Sequence, residues 1–406
     1  MKTRVLIIDF GSRTHSVGGV PRVASVLYRD LKKDFDTYYL GYETSYLKPG
    51  KNTVMIGRSK PWLKPELKSS GLTENRFIRM GYFFLMGRNL LNIGMGREEI
   101  LMHVKKIKPD IIISNSIWDF PILRYLKANL GFKTVYIDHA SISNSNVSGY
   151  FSKEGLAVTL GTGLLSLSME SAKRKFFSFF DACVALNKAQ LGLIRRYNKE
   201  ARYIPNGLDA GECPGEDAAE RIRMASGIRN GDFVVLYLGR MFERQKNVSV
   251  LIKAFDLIYE NNFKLLLVGN GQSLEYYKEL ASKDERVRFV GEVREDELPC
   301  FYEIADLFVI PSVWESFNLT MLEASAHRLP ILFSENALID DIKFTGAMTF
   351  NTLDPEDLRD KILLIAKDSA VRDDLAKASG RIAARFSKSN MLSGYTRLIR
   401  SIAGRP

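Results

Sequence analysis

Two glutamates, Glu315 and Glu323, stand with seven residues between them in a segment that is typical of a strand, a loop and a helix. The run Leu307–Ile310 predicts a buried strand, and Thr320–Ala326 has helical periodicity. Free N–H groups at a helix N-terminus bind phosphate, and carboxylates accept hydrogen bonds from ribose hydroxyls. As isolated residues the two glutamates would be solvated surface charges. In this context they predict a site for a nucleoside diphosphate.

Two cations follow another predicted strand, Val234–Leu238. Arg240 comes directly after Gly239 at the end of the strand, and Lys246 precedes a predicted helix. Arginine offers a forked contact to phosphate and lysine a point charge, so the pair suits a pyrophosphate. Both are also common as ordinary loop cations. In the functional interpretation they stabilise a departing diphosphate without a metal.

Glycine pairs follow two of the predicted strands. Gly18 and Gly19 come before the first predicted helix, and Gly269-Asn270-Gly271 follows Leu265–Val268. Residues without a side chain let a ligand or a neighbouring backbone approach closely. Neither pair completes a GxGxxG pattern, so neither indicates a dinucleotide site.

The chain has only four histidines, and one of them, His139, follows the predicted strand Val135–Ile137. It is therefore expected at the sheet edge where ligands bind, although lone histidines are often structural. No HxxH or HxxxH pair is present, so we expect no histidine metal site. The acidic string Asp34-Phe35-Asp36 is interpreted as a solvated helix end.

The remaining pattern is strand, loop and helix, repeated in two blocks. The blocks cover residues 1 to about 205 and about 230 to 385, with the turn-rich Pro205–Asp209 between them. This alternation predicts an α/β protein with two doubly wound parallel sheets and helices on both faces. The other predicted strands are Val5–Ile8, Ile111–Ser114, Val184–Leu186, Arg288–Val290 and Ile331–Phe333.

Residues 43–100 fit the alternation poorly and are rich in basic and aromatic residues. From Lys48 to Lys108 there are 13 lysines and arginines against 4 acidic residues, a net charge of +9, and Arg76–Leu91 has the pattern of a basic amphipathic helix. One interpretation is an insertion that packs on the domain. The other is a surface that contacts the acceptor or an anionic membrane.

Composition excludes several classes of protein. The 406 residues carry a net charge of +11 and 26% charged residues, which excludes a disordered or disulfide-stapled chain. We expect no signal peptide and no membrane-spanning helix. The three cysteines, Cys183, Cys213 and Cys300, are distant from one another and are expected to be reduced thiols of a cytoplasmic protein.

In their order and spacing these motifs resemble the retaining glycosyltransferases of family four, which share the GT-B fold. The resemblance rests on Glu315 and Glu323, on Arg240 with Lys246, on the Pro205–Asp209 hinge and on the first glycine pair. It implies two Rossmann-like domains that face a cleft. The expected domains are an acceptor-binding domain at 1–205 with the insertion 43–100, a nucleotide-sugar domain at 206–385, and a helix at 386–406 that crosses back to the first domain.

The same resemblance implies a role for each residue. Catalytic roles fall to His139, Glu315, Arg240 and Lys246, and Glu323 binds the ribose. The donor-binding set implied by the family comprises Gly18, Gly19, Arg240, Lys246, Gly269, Gly291, Val293, Glu315, Phe317, Asn318, Leu319 and Glu323. Asn318 departs from the family, which usually has glycine there, and this bears on contacts to the donor sugar.

The implied activity is transfer of a sugar from a nucleotide donor, with retention at the anomeric carbon. A UDP-sugar is the first candidate for the donor and a GDP-sugar is the second. The implied acceptor is a glycan or a lipid-linked glycan of cell-surface polysaccharide synthesis, reached at the inner face of a membrane. No cofactor, metal or nucleic acid is expected. The alternatives are a nucleotide-sugar epimerase of the same fold and a non-catalytic sugar-binding homologue. A sugar phosphorylase fits the chain length poorly, and no motif supports a nucleic-acid-binding module.

Overall fold

The protein folds into two compact units, Met1–Ile204 with Leu392–Pro406, and Pro205–Met391. The computed structural model describes residues 2–10, 19–44, 46–56, 96–139, 170–209 and 211–404. Gly18, the predicted helix Arg76–Leu91 and most of the basic insertion lie outside these residues. The two units are described separately below.

The first unit is built on a parallel sheet whose described strands number seven, in the order β3-β2-β1-β4-β5-β6-β7. Its central strands are buried on both faces, as expected for a sheet covered by helices on each side; all four residues of Ile111–Ser114 are buried. The strands are β1 Arg4–Asp9, β2 Asp36–Tyr42, β3 Thr53–Ile56, β4 Ile111–Ser114, β5 Lys133–Asp138, β6 Ala182–Ala185 and β7 Ala201–Tyr203.

Helices of the first unit connect these strands. An aromatic cluster packs at the start of the helix Phe120–Asn129, where the Phe120 and Tyr136 rings lie 4.9 Å and 4.8 Å from the Phe176 ring. The helices are α1 Gly19–Asp30, α2 Arg97–Ile107, α3 Phe120–Asn129 and α4 Lys188–Ile194; residues 170–177 are also helical, and Leu31–Lys33 and Ile117–Asp119 form 3-10 turns.

The second unit repeats the design with six described parallel strands, in the order β10-β9-β8-β11-β12-β13. Each of its four inner strands, β8, β9, β11 and β12, lies between two neighbours, and side chains of these strands pack in the unit's core. The strands are β8 Phe233–Leu238, β9 Phe263–Val268, β10 Val287–Gly291, β11 Leu307–Ile310, β12 Ile331–Ser334 and β13 Met348–Phe350.

Helices of the second unit follow its strands, and the last of them continues into the first unit at Leu392. Several begin at clear caps; Asp354, for example, accepts hydrogen bonds from two backbone N–H groups of the helix that follows it. The helices are α5 Glu216–Ala225, α6 Glu243–Lys246, α7 Val248–Asp256, α8 Leu274–Leu280, α9 Leu298–Glu303, α10 Leu319–Ala326, α11 Pro355–Lys367, α12 Ser369–Arg385 and α13 Lys388–Ala403, with a 3-10 turn at Lys343–Thr345.

Each sheet has one point at which the strand order reverses. In the first unit this point lies between β1 and β4, and in the second it lies between β8 and β11. Helices on the two sides of such a point leave toward opposite faces, which opens a crevice beyond the carboxyl ends of the strands. Ligands of open α/β sheets bind there, so the loops after these four strands are the places to look for chemistry.

The acidic string at Asp34 lies at a helix end and Asp34 is exposed, as expected, but the string also contains the start of a strand. The helical segment ends at Lys33, and Asp36 is the first residue of β2, paired with Arg4 of β1. Asp34 lies beside Arg400, at 3.5 Å, within the same unit. The sequence did not predict β2 as a strand because it begins with the polar pair Asp36-Thr37, shortly after a helix.

The structure also contradicts the expectation of three reduced cysteines. Cys213 and Cys300 form a disulfide across 87 residues of sequence, with their Cα atoms 4.7 Å apart. The fold brings them together because α9 packs on the segment before α5: a Cβ atom added to Gly211 would lie 2.8 Å from the Pro299 ring. Cys183 is the free cysteine, and it is buried in β6.

Candidate functional site

Backbone contacts between glycine turns shape the edge of the second sheet. Gly269 adopts a φ of +128°, and a Cβ atom there would lie 2.0 Å from the carbonyl oxygen of Gly239. Gly271 is just as tight, with 2.4 Å to the carbonyl oxygen of Met241. The Gly269 N–H donates to the carbonyl oxygen of Gly291 at 2.8 Å. The predicted residues Gly269 and Gly291 therefore hold three adjacent strand ends together.

Arg240 leaves the edge of this sheet with its side chain exposed to solvent. Its carbonyl oxygen accepts a hydrogen bond from the Tyr237 hydroxyl at 2.8 Å, and its guanidinium donates to Gln245 Oε1 at 3.3 Å. Burial raises the pKa of Tyr237, so this hydroxyl stays protonated as a donor. The backbone of Arg240 is thus fixed while its charge faces solvent.

The short helix α6 places Lys246 through a half-buried anchor, Glu243. One carboxylate oxygen of Glu243 accepts from the Ser249 hydroxyl at 2.5 Å, and the other accepts from the Tyr277 hydroxyl at 2.7 Å. The Glu243 N–H donates to Ser273 Oγ at 3.0 Å. The turn is therefore tied to the helices on both sides, which holds Lys246 at a fixed distance from β8.

Lys246 and Glu315 form the most enclosed ion pair among the predicted site residues. Lys246 Nζ lies 2.5 Å from Glu315 Oε1, and the two side chains are only 14% and 7% exposed. The same carboxylate oxygen also accepts from Ser312 Oγ at 2.7 Å and Asn318 Nδ2 at 3.3 Å. Three donors on one oxygen fix the carboxylate. All three of these hydrogen bonds end on Oε1, and the described residues donate none to Oε2.

The N-terminus of α10 begins directly beyond this cluster. Asn318 caps it: its Oδ1 accepts from the Met321 N–H at 3.2 Å and from the Thr320 hydroxyl at 2.6 Å. Phe317 and Leu319 are buried on either side of the cap, and the Phe317 ring lies edge-on to Phe386 at 5.2 Å. Asn318 therefore serves two purposes, since its other amide atom contacts Glu315.

Glu323 lies further along α10 and is 6% exposed. Its Oε2 accepts a hydrogen bond from the Tyr302 hydroxyl at 2.6 Å. The other predicted contacts of this region are Gly291, which has a φ of +82° at the end of β10, and Val293, which is half-buried in the loop that follows. Both stand on the outermost strand end of the sheet.

The first unit supplies His139 and Gly19 of the predicted set. His139 follows β5, and its Nε2 lies 3.4 Å from Oδ1 of Asn115, a buried residue that follows β4 at the point where the strand order reverses. Burial lowers the pKa of His139 to about 4, so the imidazole is neutral at neutral pH. Gly19 is the exposed first residue of α1.

Nine predicted residues lie at or after the ends of β8, β9, β10 and β11, up to the N-terminus of α10. The hydrogen bonds given above connect Arg240, Lys246, Glu315 and Asn318 through Gln245, Ser312 and their backbone. Glu323 lies further along α10, where it accepts the hydrogen bond from Tyr302. Gly19 and His139 belong to the other unit.

Sequence reasoning missed Ser312, Gln245 and Tyr302. Ser312 had a readable signal, since a hydroxyl three residues before Glu315 in a loop can reach its carboxylate. Tyr302 had none, because its partner is 21 residues away and the contact exists only once two helices pack.

Within the described residues no three histidine, cysteine or acidic side chains cluster so as to hold a metal ion, and no helix there is long and apolar enough to cross a membrane. A cavity of about 440 Å³ lies at the opposite, amino-terminal edge of the first sheet, lined by residues that include Lys2, Arg4 and Lys32. It contains none of the predicted site residues.

Residues 218–381, which carry the cluster around Lys246 and Glu315, match the family described as glycosyl transferases group 1. This part of the chain is similar to the glycosyl transferases of group 1. The match agrees with the resemblance drawn from the motifs.

Curated relatives match this chain over part of their length. An uncharacterized glycosyltransferase of Methanocaldococcus jannaschii is 35% identical over 42% of this chain and 47% of its own. The alpha-monoglucosyldiacylglycerol synthase of Streptococcus pneumoniae is 29% identical over 38% of each chain. The phosphatidyl-myo-inositol mannosyltransferase of Mycobacterium leprae is 26% identical over 52% of this chain and 58% of its own. The chain thus spans about half the length of the curated relatives it matches.

Solved structures resemble the chain over nearly all its length. Sucrose-phosphate synthase of Thermosynechococcus elongatus aligns with a TM-score of 0.73 at 19% identity, covering 99% of this chain and all of that one. The Anabaena protein HepE, solved in complex with UDP-glucose, aligns with a TM-score of 0.70 at 14% identity and covers 98% of this chain and 99% of that one. The expected α/β fold of GT-B type is confirmed.

Proposed function

We propose that this protein is a retaining glycosyltransferase that moves a sugar from a nucleoside diphosphate to a glycan or lipid-linked acceptor. The observation that carries the proposal is the cluster of Lys246, Glu315 and Asn318 beside Arg240. It lies at the strand-reversal point of the unit similar to group 1 glycosyl transferases, where two cations, a fixed carboxylate and a helix N-terminus meet.

The diphosphate of the donor binds between Arg240 and the N-terminus of α10. Arg240 is exposed and has further N–H groups for a forked contact besides the one that donates to Gln245. Lys246 contributes a second positive charge. The N-terminus of α10 adds the positive end of its dipole. These groups balance the charge of the leaving diphosphate, and the proposal therefore requires no metal.

Sugar and nucleoside extend from the diphosphate in opposite directions. The Oε2 atom of Glu315, whose other oxygen is held by three donors, accepts from a hydroxyl of the donor sugar. Glu323 accepts from the ribose, and the loop from Gly291 to Val293 contacts the base. UDP is the first candidate, because a similar structure contains UDP-glucose, and GDP is the second.

The reaction exchanges one bond for another at the anomeric carbon. The bond from this carbon to the diphosphate oxygen breaks, and a bond to the acceptor oxygen forms on the same face. The acceptor hydroxyl gives its proton to the departing phosphate. His139 is neutral, so it offers a hydrogen bond to the transferred sugar rather than a charge.

A lipid-linked acceptor is the preferred choice within this proposal. Two relatives carry diacylglycerol and phosphatidyl-myo-inositol in their names. The net charge of +9 between Lys48 and Lys108 would attract this chain to an anionic membrane, at its inner face, where such an acceptor is reached. The Cys213–Cys300 disulfide removes the argument for a cytoplasmic location that rested on reduced thiols.

Thermal unfolding with UDP-, GDP- and ADP-sugars tests the proposal. We expect one of the three to raise the melting temperature with a concentration dependence that gives a dissociation constant. The same sugar with a different base should raise it far less. Equal, negligible shifts with all three would contradict the proposed donor class.

A further inference from the structure

Tyr302 and Glu323 form a contact that none of the sequence motifs predicts. The Tyr302 hydroxyl donates to Glu323 Oε2 at 2.6 Å, and the two residues are 2% and 6% exposed. A hydrogen bond to a carboxylate is stronger than one between neutral groups, and solvent does not compete with it here. The bond therefore restricts rotation of the Glu323 side chain.

The Tyr302 ring is held from two sides. It stacks on His327, the residue that ends α10, with the ring centroids 5.5 Å apart and the planes at 20°. Its other neighbour is Phe308 of β11, at 5.8 Å and 69°. Packing against the end of α10 and against β11, on either side of the candidate site, thus places the Tyr302 hydroxyl beside Glu323.

Helix α9, which carries Tyr302, is anchored as well. Cys300, two residues earlier, is bonded to Cys213, and Pro299 packs on Gly211. The Cys213 N–H lies 3.4 Å from Glu303 Oε1 at the end of the same helix. A six-residue helix has little stability of its own, so these tertiary links determine its position.

We propose that Tyr302 is a positioning residue for ribose recognition, acting through Glu323. The inference rests on the proposed function, because it requires that Glu323 receives the ribose hydroxyls of the donor. A carboxylate has about four acceptor positions, so Glu323 accepts from Tyr302 and from a ribose hydroxyl together. Tyr302 fixes the carboxylate in the orientation that this second bond needs before the donor arrives, which reduces the entropy lost on binding.

Calorimetric titration of Tyr302→Phe tests the inference. The wild-type chain and the variant are titrated with UDP, GDP and ADP, then with the 2′-deoxy and 3′-deoxy forms of whichever is bound. We expect the variant to bind the ribonucleotide about tenfold more weakly, in line with the loss of a hydrogen bond to a charged group. It should bind one deoxy form almost as the wild type does, so the preference for ribose falls. The donor KM rises while kcat is retained.

Two further variants separate positioning from general damage. In a Glu323→Ala background, Tyr302→Phe should add no further loss of ribonucleotide affinity. Tyr125→Phe removes a hydroxyl–carboxylate bond of the same 2.6 Å length in the first unit and should leave the ribose preference unchanged. Melting curves confirm that each variant folds.

Equal weakening of ribo- and deoxyribonucleotide binding in Tyr302→Phe would overturn the inference and leave the proposed function standing. An additive loss in the double variant would do the same. A wild-type chain that binds none of the three nucleoside diphosphates overturns the proposed function, and the inference with it.

Discussion

At the scale of single residues, the two enclosed charges of the site, Lys246 and Glu315, are paired before any ligand arrives. Lys246 neutralises Glu315, and Ser312 and Asn318 hold the same oxygen. An ion pair this enclosed loses much hydration, and hydrogen bonds from neutral neighbours compensate for part of that loss. The motifs contain these residue types, but nothing in the sequence shows that the side chains contact one another.

His139 gives a prediction about pH. Its pKa of about 4 in the folded chain lies below the ordinary value of 6.5, so between these values the unfolded chain binds a proton that the folded chain does not. The free energy of unfolding should therefore fall as the pH drops from 6.5 to 4, and His139 contributes about 3 kcal/mol at most to this fall. Above pH 6.5 His139 should cause no change in the free energy of unfolding.

Urea denaturation of wild type and His139→Gln across this range measures the effect. The difference in unfolding free energy between the two should change with pH only in that window. Proton NMR gives a direct reading, because the resonance missing from the variant identifies His139. A titration midpoint near 6.5 for that resonance would show that the imidazole is not buried as described.

At the scale of elements, two turns of the second sheet touch through their backbones. Gly269 is the critical position, since it combines a φ of +128° with a 2.0 Å approach to the Gly239 carbonyl oxygen. Any side chain there pushes the end of β9 away from the end of β8, and with it Arg240.

Gly269→Ala should lower the free energy of unfolding by about 3 kcal/mol, through backbone strain and the displaced turn. It should also weaken nucleoside diphosphate binding. Gly231→Ala is the matched control: Gly231 has a φ of +89° but nothing within 4 Å of its Cβ position, so it should cost about 1 kcal/mol and leave binding intact. Comparable losses in both variants would mean that the contact with Gly239 is unimportant.

Elements were predictable where local sequence determines them. Strands β8 and β11 are apolar β-branched runs, and both were expected nearly at their observed bounds. Strand β2 was not predicted because its polar start follows a helix. Strands β7 and β13 were not predicted because each has only three residues, too few to show an alternation of polar and apolar side chains. The partners of Glu323 and of Cys213 depend on packing between distant segments, and no local pattern records that.

At the scale of the whole molecule, the disulfide is the feature that the sequence reasoning had wrong. It joins the segment after the hinge to the helix that carries Tyr302, and it closes a long loop that contains β8, β9 and β10. Such a link restricts the unfolded chain, and in the chain-entropy account a loop of this length contributes about 4–5 kcal/mol.

Reduction should therefore lower the free energy of unfolding by about this amount, measured in urea with and without dithiothreitol. Thiol titration of the denatured chain should find one thiol before reduction, Cys183, and three after it. A Cys183→Ala variant should keep its sensitivity to dithiothreitol, whereas Cys213→Ser/Cys300→Ser should have none. Three titratable thiols in the untreated chain would contradict the disulfide.

The central claim is that the cluster around Lys246 transfers a sugar from a nucleotide donor. Release of nucleoside diphosphate from the preferred nucleotide sugar, followed with and without added glycan acceptors, tests it most directly in three chains. The wild type should release it in an acceptor-dependent manner, and Lys253→Ala, which removes an exposed lysine of α7, should do the same. Lys246→Ala should reduce release at least a hundredfold while its melting temperature shows a folded chain, because the leaving diphosphate loses a charge. Release by Lys246→Ala at the wild-type rate would contradict the account.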